Sequence, residues 1–332
     1  MTNPVLVEVW RGPLVESTHR GAVAVADADG AVALAIGDVA KPVFPRSAIK
    51  ALQALPLLES GAADRYGFGE AELALACASH SGEPAHVAGV AGVLAKAGLD
   101  PSALRCGAHY PISQAAAFAL ARGGGPSALH NNCSGKHAGF LCVACATGIA
   151  LEDYWRPQHA VQREVRVVLE DFTGVVLTEE RCAIDGCSVP TWAVPLQNLA
   201  RGPAKFATGH GVSRERGQAA ARLLRACAQQ PWYVAGTGRC CTEVMQIFGA
   251  RAYVKTGAEG VYAGALPELG LGIAIKCDDG AGRAAQAIMA AVIARFLPLA
   301  DGEREALARF VRPVLTNWNG IEVGALRVTA AI

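Results

Sequence analysis

Residues 130–140, HNNCSGKHAGF, place His130, Cys133, Lys136 and His137 within eight positions. Such a set can be a metal site, a phosphate loop, a nucleophile or a polar helix start. The phosphate loop fails: counting back from Gly135 puts His130 where the first glycine of G-x-x-x-x-G-K belongs, and His rather than Ser or Thr follows Lys136. A Cys133 nucleophile beside His137 lacks an orienting acid nearby in sequence. The metal reading needs further ligands, and Asp185-Gly186-Cys187 offers a carboxylate and a thiolate on a turn. Two thiolates from separate loops plus one nitrogen leave one tetrahedral position for water or substrate. Residue type alone names His137 as that nitrogen, since neutral imidazole is the usual zinc ligand. Cys142-x-x-Cys145 falls inside the apolar run FLCVACATG without a second pair, which suits buried structural thiols.

A second chemistry lies upstream. Ser47-Ala48-Ile49-Lys50 is an S-x-x-K motif, in which one helical turn brings the serine hydroxyl and the lysine amine to one face. The amine must be neutral to take the hydroxyl proton, so burial or a neighbouring cation has to lower its pKa. An isolated match is more often an N-cap serine and an exposed lysine. This one is followed by Ser79-His80-Ser81-Gly82 and then by Lys255-Thr256-Gly257. That order is the order of penicillin-binding proteins and class A β-lactamases, except that SHSG stands where S-D-N belongs. The departure argues against β-lactam chemistry and leaves acyl transfer by an activated serine.

These groups need elements to hold them. VLVEVW (5–10) and the two apolar runs about Asp29-Gly30 (23–36) read as strands, the latter a hairpin. Ser47–Glu59 carries Ile49, Leu52, Leu55 and Leu58 at three-residue steps and reads as one helix. Further helices are predicted at 84–97, 113–122, 136–147, 157–171, 214–229, 239–248 and 283–296. Strands return at 250–257, 260–266 and 270–277. The fold class is therefore α+β: one domain, 1–332, with an antiparallel sheet from about 1–40 and 250–332 and a helical lobe at about 45–248.

A net charge of +1 without a Lys or Arg run argues against nucleic acid as a partner. No basic segment followed by an apolar stretch opens the chain, and the apolar stretches 139–151 and 284–299 are too short or interrupted by Arg to span a membrane. A cytoplasmic protein is expected. Eleven scattered cysteines, an odd number, favour reduced thiols. Cys240-Cys241 reads as two free thiols near a turn, and His80 and His86 as capping or solvated residues flanking a helix start. Glu259 is either a partner for Lys255 or an exposed loop acid. Arg46 offers a bidentate donor to a carboxylate, or a packing role.

PRSAIKALQALPL, ASHSGEP, HNNCSGKHAGFL, DGCSVPTWAVPL and KTGAEGVYA, spread over residues 45 to 263, together resemble the rhizobial-type (class 3) L-asparaginase family. The resemblance implies a fold similar to serine β-lactamases and serine-dependent glutaminases, and hydrolysis of L-asparagine to L-aspartate and ammonia by a homodimer. It implies two Ser-Lys pairs, Ser47 with Lys50 and Ser79 with Lys255. It also implies a zinc site of Cys133, Lys136 and Cys187, with Lys136 in the place that residue type gave to His137. A metal-bound lysine must be deprotonated, and Zn²⁺ supplies that pressure. His137, Asp185 and Arg46 then become substrate-contacting or ligand-supporting groups. Ser47 is the expected nucleophile, with zinc orienting the substrate. The alternatives are a glutaminase or related amidase, an amidohydrolase in which zinc activates water, and an amino-acid-binding protein with structural zinc.

Overall fold

The computed structural model describes residues 2–332. The chain forms two compact units, one holding the residues up to Ala48 with Val194–Gly211 and Ile247–Ile332, the other Ile49–Ala193 with Val212–Gln246.

The first unit is built on a sheet of β1 (Val5–Arg11), β2 (Leu14–Asp27), β3 (Val32–Ile36), β4 (Tyr253–Thr256), β5 (Val261–Leu266), β6 (Leu271–Cys277), β7 (Val314–Thr316) and β8 (Glu322–Val328). Its order is β7-β8-β1-β2-β6-β5-β4, with β3 beside β2 and every pairing antiparallel. The expected sheet from both chain ends is present: Val7 stands opposite Val328, and Val25 opposite Ile273. The long β2 serves both halves, pairing β1 through Leu14–Arg20 and β6 through Gly21–Asp27. At the β2–β3 turn the Asp27 carboxylate accepts the N–H groups of Asp29, Gly30 and Ala31 at 3.0, 2.9 and 2.8 Å, an Asx-type closure of the hairpin.

Helix Leu196–Thr208 packs on one face of this sheet and helix Gly282–Phe296 on the other. Gly272 makes the first contact possible, since a Cβ there would sit 2.0 Å from the Ala200 carbonyl oxygen. Residues 194–211, expected within the helical lobe, thus belong with the sheet. The single helix expected over Ser47–Glu59 is broken into a 3₁₀ turn, Arg46–Ile49, and two short helices, Lys50–Gln53 and Leu55–Glu59. Pro56 is the cause, because it has no N–H to give the Leu52 carbonyl.

In the second unit helix Ser134–Thr147 is central, with every residue from Ser134 to Ala144 buried. It packs on helices Glu70–Ala76, Pro84–Lys96 and Ala160–Thr173. A helix apolar all round is a core helix, and Gly135 sets its approach: a Cβ there would lie 2.3 Å from the Leu75 carbonyl oxygen. Strands Cys182–Ile184 and Pro190–Trp192 pair in a small hairpin. All eleven cysteines are free thiols. Among the described residues no helix is long and apolar enough to cross a membrane.

Candidate active site

The helical unit carries Lys50, Ser79, Cys133, Lys136, His137, Asp185 and Cys187; the sheet unit carries Arg46, Ser47 and Lys255.

In the helical unit the chain is turned into helix Ser134–Thr147 by Asn131, whose side-chain oxygen accepts the Cys133 N–H at 2.8 Å while its amide donates to the Cys106 carbonyl at 2.8 Å. One turn on, Lys136 donates to Cys187 Sγ at 3.1 Å. Cys187 arrives on a tight turn. The Asp185 N–H bonds the Val189 carbonyl at 2.8 Å, and Ser188 takes a left-handed φ of +78°. Cys133, Lys136 and Cys187 are all buried. The neighbouring Cys133 side chain, with the Lys136 ammonium beside it, pushes the Cys187 thiol down to about 5 against the cost of burial. The same contact and burial push Cys133 up to about 12. Burial opposes the Lys136 charge, but Cys187, Cys133 and Asp185 together raise its pKa.

These three side chains fit a zinc ion. Two sulfurs and one amine are donors zinc accepts, and all converge in a dry site. A nitrogen and a sulfur on one tetrahedral ion at ordinary bond lengths lie ~3.6 Å apart, so the 3.1 Å pair of Lys136 and Cys187 needs only a small opening. No three His, Cys, Asp or Glu side chains are grouped to hold a metal among the described residues.

Lys50 is fully buried and donates to two carbonyls, that of Ala78 at 2.5 Å and that of Asn132 at 3.3 Å. It bridges the residue before Ser79 and the residue before Cys133. Burial lowers its pKa, Cys133 works against that shift, and the Lys136 charge adds to it. Ser79 is buried, with its N–H on the Val234 carbonyl at 2.9 Å.

His137 does not turn toward Cys187. Its Nδ1 faces the Tyr154 hydroxyl at 2.7 Å, and that hydroxyl accepts the Arg105 N–H at 2.9 Å. The tyrosine hydroxyl thus holds the ring by its Nδ1 edge. Nε2 is buried without a partner. Burial, with Lys136 next to it, pushes the imidazole down to about 3, so His137 is neutral. An unsatisfied buried ring nitrogen is costly. Tyr154 was not singled out from the sequence, because DYW has no motif around it. Asn131 and Ser134 were legible only as parts of the polar helix start.

His80 and His86 are not the capping or solvated residues expected. Both are fully buried, with rings stacked 5.1 Å apart, and His86 stacks in turn on Trp232 at 3.9 Å.

In the sheet unit Lys255 lies buried on β4 and donates to the Thr256 carbonyl at 2.9 Å. Gly257 presses against the chain just before Ser47: a Cβ there would stand 2.7 Å from the Pro45 carbonyl oxygen. Arg46 has a left-handed φ of +51° and lines a cavity of about 520 Å³ with Arg20, Lys41, Glu259 and Lys276. Glu259 is exposed, and its carbonyl takes the Lys276 ammonium.

A family model described as L-asparaginase II matches residues 7–328. No curated protein matches the sequence. Among solved structures, a β-lactamase from Mycobacterium bovis is similar at 17% identity and a TM-score of 0.41, over 84% of this chain and 95% of that one. The protein Mglu is similar at 18% identity and a TM-score of 0.38, over 85% and 62%. An octameric penicillin-binding protein homologue from Pyrococcus abyssi is similar at 13% and 0.33, over 94% and 84%.

Proposed function

Because the chain belongs to the L-asparaginase II family and is an amidohydrolase acting on a small-molecule amide, we propose that it hydrolyses L-asparagine to L-aspartate and ammonia by serine acyl transfer. Ser47 is the nucleophile and Lys50 the base that takes its proton; Ser79 and Lys255 form the second pair. Ser47 Oγ bonds to the side-chain amide carbon, the C–N bond breaks, and the proton held by lysine leaves on ammonia. Water then cleaves the ester, returning its proton to Ser47 and releasing aspartate.

Cys133, Lys136 and Cys187 would hold a zinc ion, which supplies a fixed positive charge for the substrate's α-amino or carboxylate end. His137, held by Tyr154, offers its unpartnered Nε2 to the substrate. Asp185 stands on the turn that presents Cys187, and Arg46 supplies a carboxylate donor. The enzyme works as a homodimer, as the family resemblance implies, and in a reducing compartment, which the eleven free thiols support.

The observation that carries the reading is the Lys50 bridge. One buried amine, three residues after Ser47, holds the carbonyls beside both Ser79 and Cys133. Ammonia release from L-asparagine and L-glutamine by the purified enzyme tests it. Release from asparagine should be faster and should be nearly abolished in Ser47→Ala. Faster release from glutamine makes the enzyme a glutaminase, and an active Ser47→Ala removes serine as nucleophile.

A further inference from the structure

We propose that His80 is a positioning residue, fixing the loop that carries Ser79 against the first turn of helix Ser134–Thr147, from which Cys133 and Lys136 project. The inference rests on the reading above, in which Ser79 and that first turn belong to the active site.

One backbone bond, two ring bonds and a stack hold His80 in place. Its backbone N–H donates to the Asn132 carbonyl at 3.2 Å. Ring Nδ1 accepts the Gly82 N–H at 3.1 Å, so the ring proton is on Nε2, and Nε2 donates to Ser134 Oγ at 2.8 Å. Ser134 Oγ passes its own proton on to the Leu129 carbonyl at 2.9 Å. The bonds therefore run in one direction, from the Ser79 loop into the helix start. A doubly protonated ring would turn a second N–H against the Gly82 N–H, so only the neutral tautomer satisfies the site. His80 and Ser134 are both wholly buried, and no water can replace the link. The face of the ring is held by His86, 14° from parallel, which lies 8° from parallel on Trp232.

No other side chain has this combination. The position needs an acceptor near the backbone, a donor two bonds further out and a flat face. The Lys50 amine joins the same two segments through the Ala78 and Asn132 carbonyls. Loss of His80 therefore loosens the alignment of Ser79 without releasing it.

The test uses the enzyme and four variants, with Ser79→Ala as a fifth for comparison. His80→Phe keeps a stacked ring and removes both ring hydrogen bonds. His80→Gln keeps a terminal amide donor for Ser134. Ser134→Ala cuts the same link from the other side and leaves the histidine stack alone. The fourth is the double variant His80→Phe/Ser134→Ala. For each, kcat and KM for ammonia release, melting temperature and zinc content are measured. A shift of about 1 Å at a reacting group can cost on the order of 10²-fold, so kcat in His80→Phe should fall roughly 10- to 100-fold, with KM within about threefold and zinc retained. Ser134→Ala should fall in the same direction, His80→Gln should recover a large part of the loss, and the double variant should be no worse than His80→Phe.

Wild-type kcat in both His80→Phe and Ser134→Ala overturns the inference. So does strict additivity in the double variant, or a kcat loss that merely follows the melting temperature with no rescue by glutamine. If His80→Phe does not fold, Ser134→Ala and His80→Gln decide the matter on the same readouts. Ser79→Ala separates the two levels: wild-type activity there removes the underlying reading. An inactive Ser79→Ala beside a fully active His80→Phe removes only the role given to His80.

Discussion

Two glycines on one helix give a test in which the same substitution should have opposite results. Gly135 and Gly139 lie four residues apart on helix Ser134–Thr147 and share a face. A Cβ on Gly135 would stand 2.3 Å from the Leu75 carbonyl oxygen and 2.9 Å from Leu75 Cγ. Carbon–oxygen contacts close at ~3.3 Å, so Gly135→Ala must push the helix start about 1 Å away from Glu70–Ala76. Overpacking of this kind costs ~1–3 kcal/mol, partly offset by the ~1 kcal/mol that alanine gains over glycine in a helix. On Gly139 the added Cβ would meet Ala76 Cβ at 3.7 Å and Leu57 Cδ2 at 3.8 Å, which is ordinary contact. Only the propensity gain remains there, up to ~1 kcal/mol.

Denaturant unfolding should therefore place Gly139→Ala at or above wild type, and Gly135→Ala below it by up to ~2 kcal/mol. Activity should diverge further. Cys133 and Lys136 sit at the displaced end, and a 1 Å error there costs on the order of 10²-fold in ammonia release, while Gly139→Ala stays within about twofold of wild type. If Gly135→Ala matches wild type in both stability and turnover, the close approach of these helices does not position the site. If Gly139→Ala loses as much as Gly135→Ala, helix flexibility rather than clearance governs both.

Two further outcomes follow from the buried groups. Elemental analysis should find about one zinc per chain at full occupancy, removed by a chelator and lost in Cys187→Ser and Lys136→Met, as expected of ligands in an open site with three protein donors; zinc content unchanged in both variants sinks the ligand assignment. Burial holds the pKa values of His80, far below the usual histidine value, and His86 down. Between their folded values and the ordinary ~6.5 the unfolded chain binds more protons, so stability is complete above that pH and declines as pH falls below it, by up to ~1.4 kcal/mol per pH unit for each such proton. Unfolding midpoints measured from pH 7.5 to 5 should fall, and His80→Phe should flatten the slope; an equal slope in wild type and variant contradicts the buried neutral ring.

The parts of the fold legible in the sequence are those fixed by local pattern. The strands at both ends follow from β-branched runs and the Asp29-Gly30 turn, and their antiparallel union from the absence of strand–helix alternation. Helix Leu196–Thr208 was not read from the sequence, and its stretch was placed in the helical lobe, for a non-local reason. It joins the sheet because Gly272, some seventy residues later, leaves room for the Ala200 carbonyl. The buried histidine stack was missed likewise. SHSGEPAH reads as polar, and only the return of Trp232 over His86 makes a dry wall of it. Cys133 and Cys187 were legible as candidates, but nothing local shows that a turn closed at Asp185–Val189 delivers one to the other.

The choice between Lys136 and His137 shows where the limit of sequence reading falls. At 3.6 residues per turn, positions three and four beyond Cys133 lie about 60° to one side of it and about 40° to the other. Both share its face, and imidazole is the better ligand by type, so spacing cannot separate them. What separates them is the partner waiting on each side. Cys187 lies on the lysine side, 3.1 Å from its amine, and Tyr154 lies on the histidine side, 2.7 Å from Nδ1. Those partners enter from residues 17 and 51 positions away from their helix neighbours, and the tyrosine is itself fixed by the Arg105 N–H. The hairpin carrying Cys187 and the loop carrying Tyr154 thus set what each of the two side chains contacts. A helix bearing the same Cys-x-x-Lys-His run against other neighbours would have no reason to set them in this way.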